Sequence, residues 1–198
     1  MNPDVKAQMK VNTTALLAFT DLLRRAAVDH EYIHNNYPTH ELGPKMNLTS
    51  LDKYITYFVN ELDNAFMVND SPVIQTYIRA LGNIGHPDIL PVFHPYLESI
   101  KNATKFQRLL MVTSLDKIVL VNPKSIQPVL FKLYINTAEG HEVRCAAVLL
   151  MMKTKPSAVL LQRMADFTNV DINRHVIATV QSSIRNAAAL DSPSNLQL

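Results

Sequence analysis

Tyr77-Ile78-Arg79-Ala80-Leu81-Gly82-Asn83-Ile84-Gly85-His86-Pro87, followed by Asp88-Ile89-Leu90, is the stretch that decides how this chain folds. Val73, Tyr77, Ile78, Leu81 and Ile84 recur at the spacing of one helical face. Gly82-Asn83-Ile84-Gly85 then falls where a glycine can cap the helix end. Pro87 opens the next helix, a favourable first-turn residue because its missing N–H would have no intrahelical partner anyway. The same punctuation returns at Pro123 and Pro156, at intervals of 36 and 33 residues. An arginine accompanies each unit: Arg79, Arg108, Arg144 and then Arg174. A period of this length with two helices per unit predicts an all-α, right-handed superhelical array of antiparallel helix pairs. Glu142-Val143-Arg144-Cys145-Ala146-Ala147 resembles the second-helix opening of HEAT-type repeats.

Outward from this stretch the helical period recurs almost everywhere. Upstream run Leu16, Phe19, Leu23, Ala26 and Ala27, then Leu51, Tyr54, Ile55, Phe58, Leu62 and Phe66. Downstream come Ile89 to Ile100, Phe106 to Val119, Ile126 to Tyr134, Val143 to Met151, Val159 to Met164, and Val176 to Ile184. The reading is nine helices and no strand. The helix from Val143 to Met152 is apolar nearly all round, as a buried middle element should be. One connection is long, His34 to Asn47; the others are short enough to join antiparallel neighbours. Residues 1–12 read as an N-terminal extension, 13–190 as the helical-repeat domain and 191–198 as a tail.

At 198 residues and 22.3 kDa the chain has room for one sizeable core. Its net charge of +2 gives no nucleic-acid footprint. Four glycines argue against phosphate-cradling loops, and the one cysteine, Cys145, excludes an internal disulfide and any multi-cysteine zinc site. No apolar run reaches the length of a transmembrane helix. The first residues, Met1-Asn2-Pro3-Asp4, carry an acid and no apolar core, so they do not read as a secretory signal.

One motif has the form of an enzyme. His30-Glu31-Tyr32-Ile33-His34 is H-E-x-x-H, which on a helix sets two histidines one turn apart with a glutamate able to act on zinc-bound water. His40 stands where the longer H-E-x-x-H-x-x-G-x-x-H motif has its third ligand. Against a zinc metallopeptidase, that motif's glycine is replaced by Tyr37 followed by Pro38, where a positive φ is costly. The residues before His30 read as a single helix, leaving no sheet to roof a cleft. A zinc ion held structurally by His30, His34 and His40 is a milder use, and solvent-facing histidines at a helix end are the plainest. His86 and His94 flank a helix start and read as partners of backbone groups. Cys145, among alanines and valine, reads as a buried inert thiol. The Met151-Met152 pair sits at core spacing. Four N-x-S/T sequons occur; Asn12, Asn47 and Asn102 are glycosylation candidates, while Asn69-Asp70-Ser71 is followed by Pro72 and makes a poor acceptor.

The Tyr77–Pro87 stretch with Ile89 and Leu90 resembles the vitellogenins, the insect form above all, within the large lipid-transfer protein family. Support continues through Pro95-Tyr96-Leu97-Glu98, Tyr134-Ile135-Asn136-Thr137, Glu142-Val143-Arg144, Leu161-Gln162-Arg163-Met164-Ala165 and Val180-Gln181-Ser182-Ser183. Upstream, Leu17-Ala18-Phe19-Thr20-Asp21-Leu22-Leu23-Arg24 and the Tyr37-Pro38-x-His40 loop are similar too. The resemblance spans roughly Thr13 to Leu190. It implies part of the lipovitellin-type helical arch: a wall around lipid in a secreted yolk storage particle, docked on β-sheet domains of the same chain. It further implies no catalysis and no required cofactor, lipid as cargo, zinc as an associated ion, and a homodimer and a receptor as partners of the intact particle. The family's signal peptide, β-barrel and lipid-binding sheets have no counterpart in these residues. The competing reading is an intracellular HEAT-type scaffold that binds protein along its concave face. An array cut from its neighbours exposes end faces, so the chain alone is expected to self-associate.

Overall fold

The computed structural model describes residues 3–27 and 48–190, and every element among them is helical. Ten helices follow one another: α1 (Pro3–Ala27), α2 (Leu48–Met67), α3 (Ser71–Ile84), α4 (Ile89–Leu97), α5 (Lys105–Ser114), α6 (Asp116–Val121), α7 (Pro123–Ile135), α8 (His141–Lys153), α9 (Ala158–Phe167) and α10 (Arg174–Leu190). The stripe expected as one helix over Phe106–Val119 is divided in two, which gives ten helices among the described residues. At Leu115 the amide bonds back to the Val112 carbonyl, and α6 starts with Asp116 in its first turn. α1 passes through residue 12 without a break. None of these helices is long and apolar enough to cross a membrane.

The chain divides into two compact units, Met1–Phe93 and His94–Leu198, with the boundary inside α4. In the first unit α3 lies between α1 and α2. Its sequence explains that place: Ile74, Ile78 and Leu81 form an i, i+4, i+7 stripe, and Ala80 and Gly82 let neighbours approach closely, so all five are buried. Asp70 caps the start by accepting the Val73 amide at 3.2 Å, with Pro72 in the first turn. Gly85 ends the helix in the left-handed region, at φ 62°, and returns its amide to the Leu81 carbonyl at 3.0 Å. The facing stripe of α2 is Leu51, Ile55, Phe58, Leu62 and Ala65, all buried.

In the second unit α8 is the central element, packed on α7, α5, α10 and α6. Val143, Ala147, Val148, Leu150 and Met151 are buried around most of its circumference, which explains its weak amphipathicity. Leu149 is its one large apolar residue that is more than half exposed. Thr104 and Gln107 form a reciprocal capping box at the start of α5, with bonds of 3.2 and 2.8 Å. Pro123 opens α7 as expected. Pro156 instead precedes the Ser157 cap of α9, and Pro87 stands in the turn before α4. These three prolines therefore mark the joints, but of the three only Pro123 occupies the first helical turn.

Two buried arginines fasten this unit. Arg108 and Arg144 are each the fourth residue of their helix, α5 and α8. Arg108 donates to the last carbonyls of α4, those of Tyr96 and Leu97, and to the Glu139 carboxylate in the loop before α8. Arg144 donates to the Tyr134 carbonyl near the end of α7 at 2.8 Å and to the Asp171 carboxylate in the loop before α10. The guanidinium fork satisfies orphan helix-end carbonyls with one edge and a carboxylate with the other. Arg79 and Arg174, the remaining members of the sequence series, are exposed.

Candidate functional site

Surface grooves are the main features of the described residues. In the first unit α1 and α2 open a groove of about 520 Å³ lined by Leu16, Phe19, Lys53, Tyr54, Tyr57 and Phe58. The aromatic rings form a run: Phe19 meets Tyr54 edge-on at 5.4 Å, Tyr54 lies 6.5 Å from Phe58, and Tyr57 meets Phe58 at 5.5 Å. Phe58 is anchored in the core at 2% exposure, while Phe19 and Tyr57 stay 39% and 53% exposed. A core-rooted aromatic run with open ends offers rigid apolar surface to a partner at little entropic cost. Beneath it, burial pushes the Tyr77 hydroxyl up to about 12, reinforced by the neighbouring Tyr57 and Glu61.

The second unit has two smaller features. A recess of about 250 Å³ lies between Leu97, Val129, Leu133 and Ile135, with Glu98 and Lys132 at its polar side. Lys132 Nζ is 2.5 Å from Glu98 Oε1, and His94 Nε2 approaches the same oxygen at 3.3 Å. The hydrogen bond from Lys132 holds the Glu98 carboxyl below its ordinary range, with the charges of His94 and Lys132 acting in the same direction. A groove of about 420 Å³ runs between α7 and α9 past Pro128, Phe131, Val159 and Leu160, and the Arg163 guanidinium lies over the Phe131 ring at 4.6 Å.

The buried titratable groups serve the framework. Burial works to raise the Asp171 carboxyl, but hydrogen bonds from Arg144 and from the Asn173 and Ile172 amides outweigh it and hold the group below its ordinary value. Tyr134, held at about 12 by burial and by the Asp171 charge, donates its hydroxyl to the Met164 carbonyl at 2.8 Å. Every buried side-chain polar atom among the described residues has a hydrogen-bond partner.

A family profile described as the vitellogenin TPR domain matches residues 1–185. Vitellogenin-1 of Solenopsis invicta is 46% identical over 96% of this chain, and vitellogenin-2 of Periplaneta americana is 44% identical over 97% of it. The chain belongs to the vitellogenin family. It spans only 12% and 10% of those two vitellogenins. A solved structure titled "Lipid-protein interactions in lipovitellin" has the same fold, with a TM-score of 0.65 over 94% of this chain and 20% of its own, at 16% identity.

The residues singled out in the sequence are distributed unevenly on this vitellogenin helical module. His30, His34 and His40, with Glu31 and the sequon residue Asn47, lie outside the described residues. Asn12 is exposed on α1, and Asn102 is exposed in the loop between α4 and α5. His86 accepts the Asp88 amide on Nδ1 at 3.3 Å, the backbone role expected of it. Cys145 is half-buried rather than fully enclosed, because its helix turns that face toward α10, where the Thr179 hydroxyl donates to its sulfur at 3.3 Å. Periodicity alone does not reveal the aromatic groove, because Phe19, Tyr54 and Phe58 fall on core stripes and Tyr57 lies off them. The signal was present, since three aromatics within five residues, Tyr54, Tyr57 and Phe58, cover more of a helix than a core stripe needs.

Proposed function

We propose that this chain is a helical wall module of a vitellogenin-type particle for lipid transport and yolk storage, extracellular in its full-length setting. The observation that carries the reading is the 46% identity to a vitellogenin across nearly the whole chain. Its action is by surface. The aromatic groove of the first unit meets lipid or the β-sheet domains of the same polypeptide, while the arginine fastenings keep the second unit rigid. No catalytic step is assigned to it: among the described residues the groups with perturbed proton affinity are Asp171, Tyr134, Tyr77 and Glu98, and each is held by framework partners.

A binding assay tests the surface role. The chain is mixed with a phosphatidylcholine-coated triacylglycerol emulsion and floated. Binding is expected, with a several-fold loss in a Phe19→Ser/Tyr57→Ser variant of unchanged helical content. Equal flotation of the variant, or none by either protein, would remove the groove from the proposal.

A further inference from the structure

We propose that the groove between α7 and α9 in the second unit docks an acidic, extended peptide segment of a partner protein, with one aromatic side chain seated between two carboxylates. This surface is separate from the aromatic groove of the first unit and independent of the lipid reading. Its volume of about 420 Å³ lies within the range of ordinary binding clefts, roughly 300–1,000 Å³. The floor is rooted in the core. Phe131 meets Tyr134 edge-on at 6.0 Å, and the fully buried Tyr134 meets Phe167 of α9 at 5.3 Å. The Tyr134 hydroxyl, bonded to the Met164 carbonyl at 2.8 Å, ties the same two helices. The walls therefore keep their spacing without an occupant, which lowers the ordering cost of binding. Above this floor the apolar surface is open, with Val159 71% exposed and Pro128 exposed across the groove.

Charge selects the partner. α7 contains no carboxylate, and α9 contains one, Asp166, which accepts a hydrogen bond from Gln162 at 2.7 Å. Against that single acid stand Lys124, Lys155 and Arg163, all exposed, and among the described residues none of the three has a carboxylate partner. Lys132 and Lys153, by contrast, are matched within the unit by Glu98 and Asp116. The Phe131 ring covers one face of the Arg163 guanidinium at 4.6 Å, which holds it over the groove while its edge N–H donors stay open to a carboxylate.

Spacing narrows the partner further. Lys124 lies one turn before Pro128 on the stripe that continues to Phe131, and Lys155 stands just before the Ser157 cap of α9. From Lys124 to Phe131, where Arg163 sits, the rise along α7 is about 10 Å. In an extended strand the side chains at i, i+2 and i+4 share a face, and the outer two are about 13 Å apart. Flexible lysine and arginine stems take up the difference. A segment with acids at i and i+4 and an aromatic residue at i+2 thus matches lysine, groove and arginine in order. A single anionic lipid has one charged end, whereas this groove is positive at both.

The test is an NMR titration of the 198-residue chain, labelled at its valine and leucine methyls, with a nine-residue glycine–serine peptide. The peptide carries glutamate at its third and seventh positions and phenylalanine at its fifth. Saturable shifts of the Val159 and Leu160 methyls are expected, with affinity reduced at least about tenfold by Arg163→Glu. The same peptide with lysine at both acidic positions should favour the Arg163→Glu variant over the wild type, a reversal that loss of folding could not produce. Absence of saturable shifts, or equal affinity of the wild type and Arg163→Glu for the acidic peptide, would overturn the docking site. A methyl response to phosphatidylglycerol vesicles with none to the peptide would assign the groove to lipid and overturn it as well.

Discussion

The two units hold their helices together by different chemistry. The first relies on apolar stripes and a run of aromatic rings from Phe19 through Tyr54 and Phe58 to Tyr77, and leaves part of that run open. Arg24 also ties α1 to the end of α3, donating to the Ile84 carbonyl at 3.1 Å. The second repeats one polar device twice, with Arg108–Glu139 and Arg144–Asp171 joining a helix end to the loops before α8 and α10 respectively. An aromatic surface adapts to what covers it, whereas a buried forked ion pair fixes one geometry. The lesson is a division of labour: the first unit offers surface, and the second holds the repeat spacing.

Substitutions separate the two modes. Arg144→Ala should be the most damaging, at about 3–5 kcal/mol, because it strands the buried Asp171 carboxylate and the Tyr134 carbonyl. Chemical denaturation measures this, and a loss below about 1 kcal/mol would show that the fastening is ornamental. Replacing Arg144 and Asp171 together by methionine and leucine should recover much of the loss, since the penalty comes from the uncompensated charge rather than from the missing pair.

In the first unit, Gly85→Ala should cost about 1–2 kcal/mol, because φ 62° at the α3 cap is unfavourable for a residue with a Cβ. Equal stability of the variant would place that turn outside the cooperative core.

Acid gives the third separation. Asp171 has a folded-state value below its unfolded one, so its contribution is present above the unfolded value near 3.8 and is lost as pH falls through the folded value beneath it. Stability of the wild-type chain should therefore decline below about pH 4 more steeply than that of Asp171→Asn, read from thermal melts across that range. Parallel declines would detach the acid sensitivity from this pair. The smallest effects belong to Arg79→Ala and Arg174→Ala, within about 0.5 kcal/mol, since both side chains are exposed.

That last pair shows how far the sequence could be read. Helix identity and the repeat were legible because apolar residues and prolines carry their meaning locally. Arg79, Arg108, Arg144 and Arg174 looked equivalent in the sequence, yet only Arg108 and Arg144 point inward. Each stands fourth in its helix, a register that turns it toward the preceding helix end, whereas Arg79 is the ninth residue of α3, on its solvent side. Glu139 and Asp171 gave no local signal, because their partners are 31 and 27 residues away and meet them only through the stacking of whole helices. The H-E-x-x-H motif stands out by its spacing, but His30 and His34 lie outside the described residues.

The proposed role is that of one wall of a much larger lipid-carrying polypeptide. The most direct test is the intact mass and lipid content of the native product, captured from source tissue with an antibody raised against residues 141–153 and weighed by mass spectrometry. A product many times 22.3 kDa that co-purifies with lipid is predicted. A lipid-free native product near 22.3 kDa would contradict it.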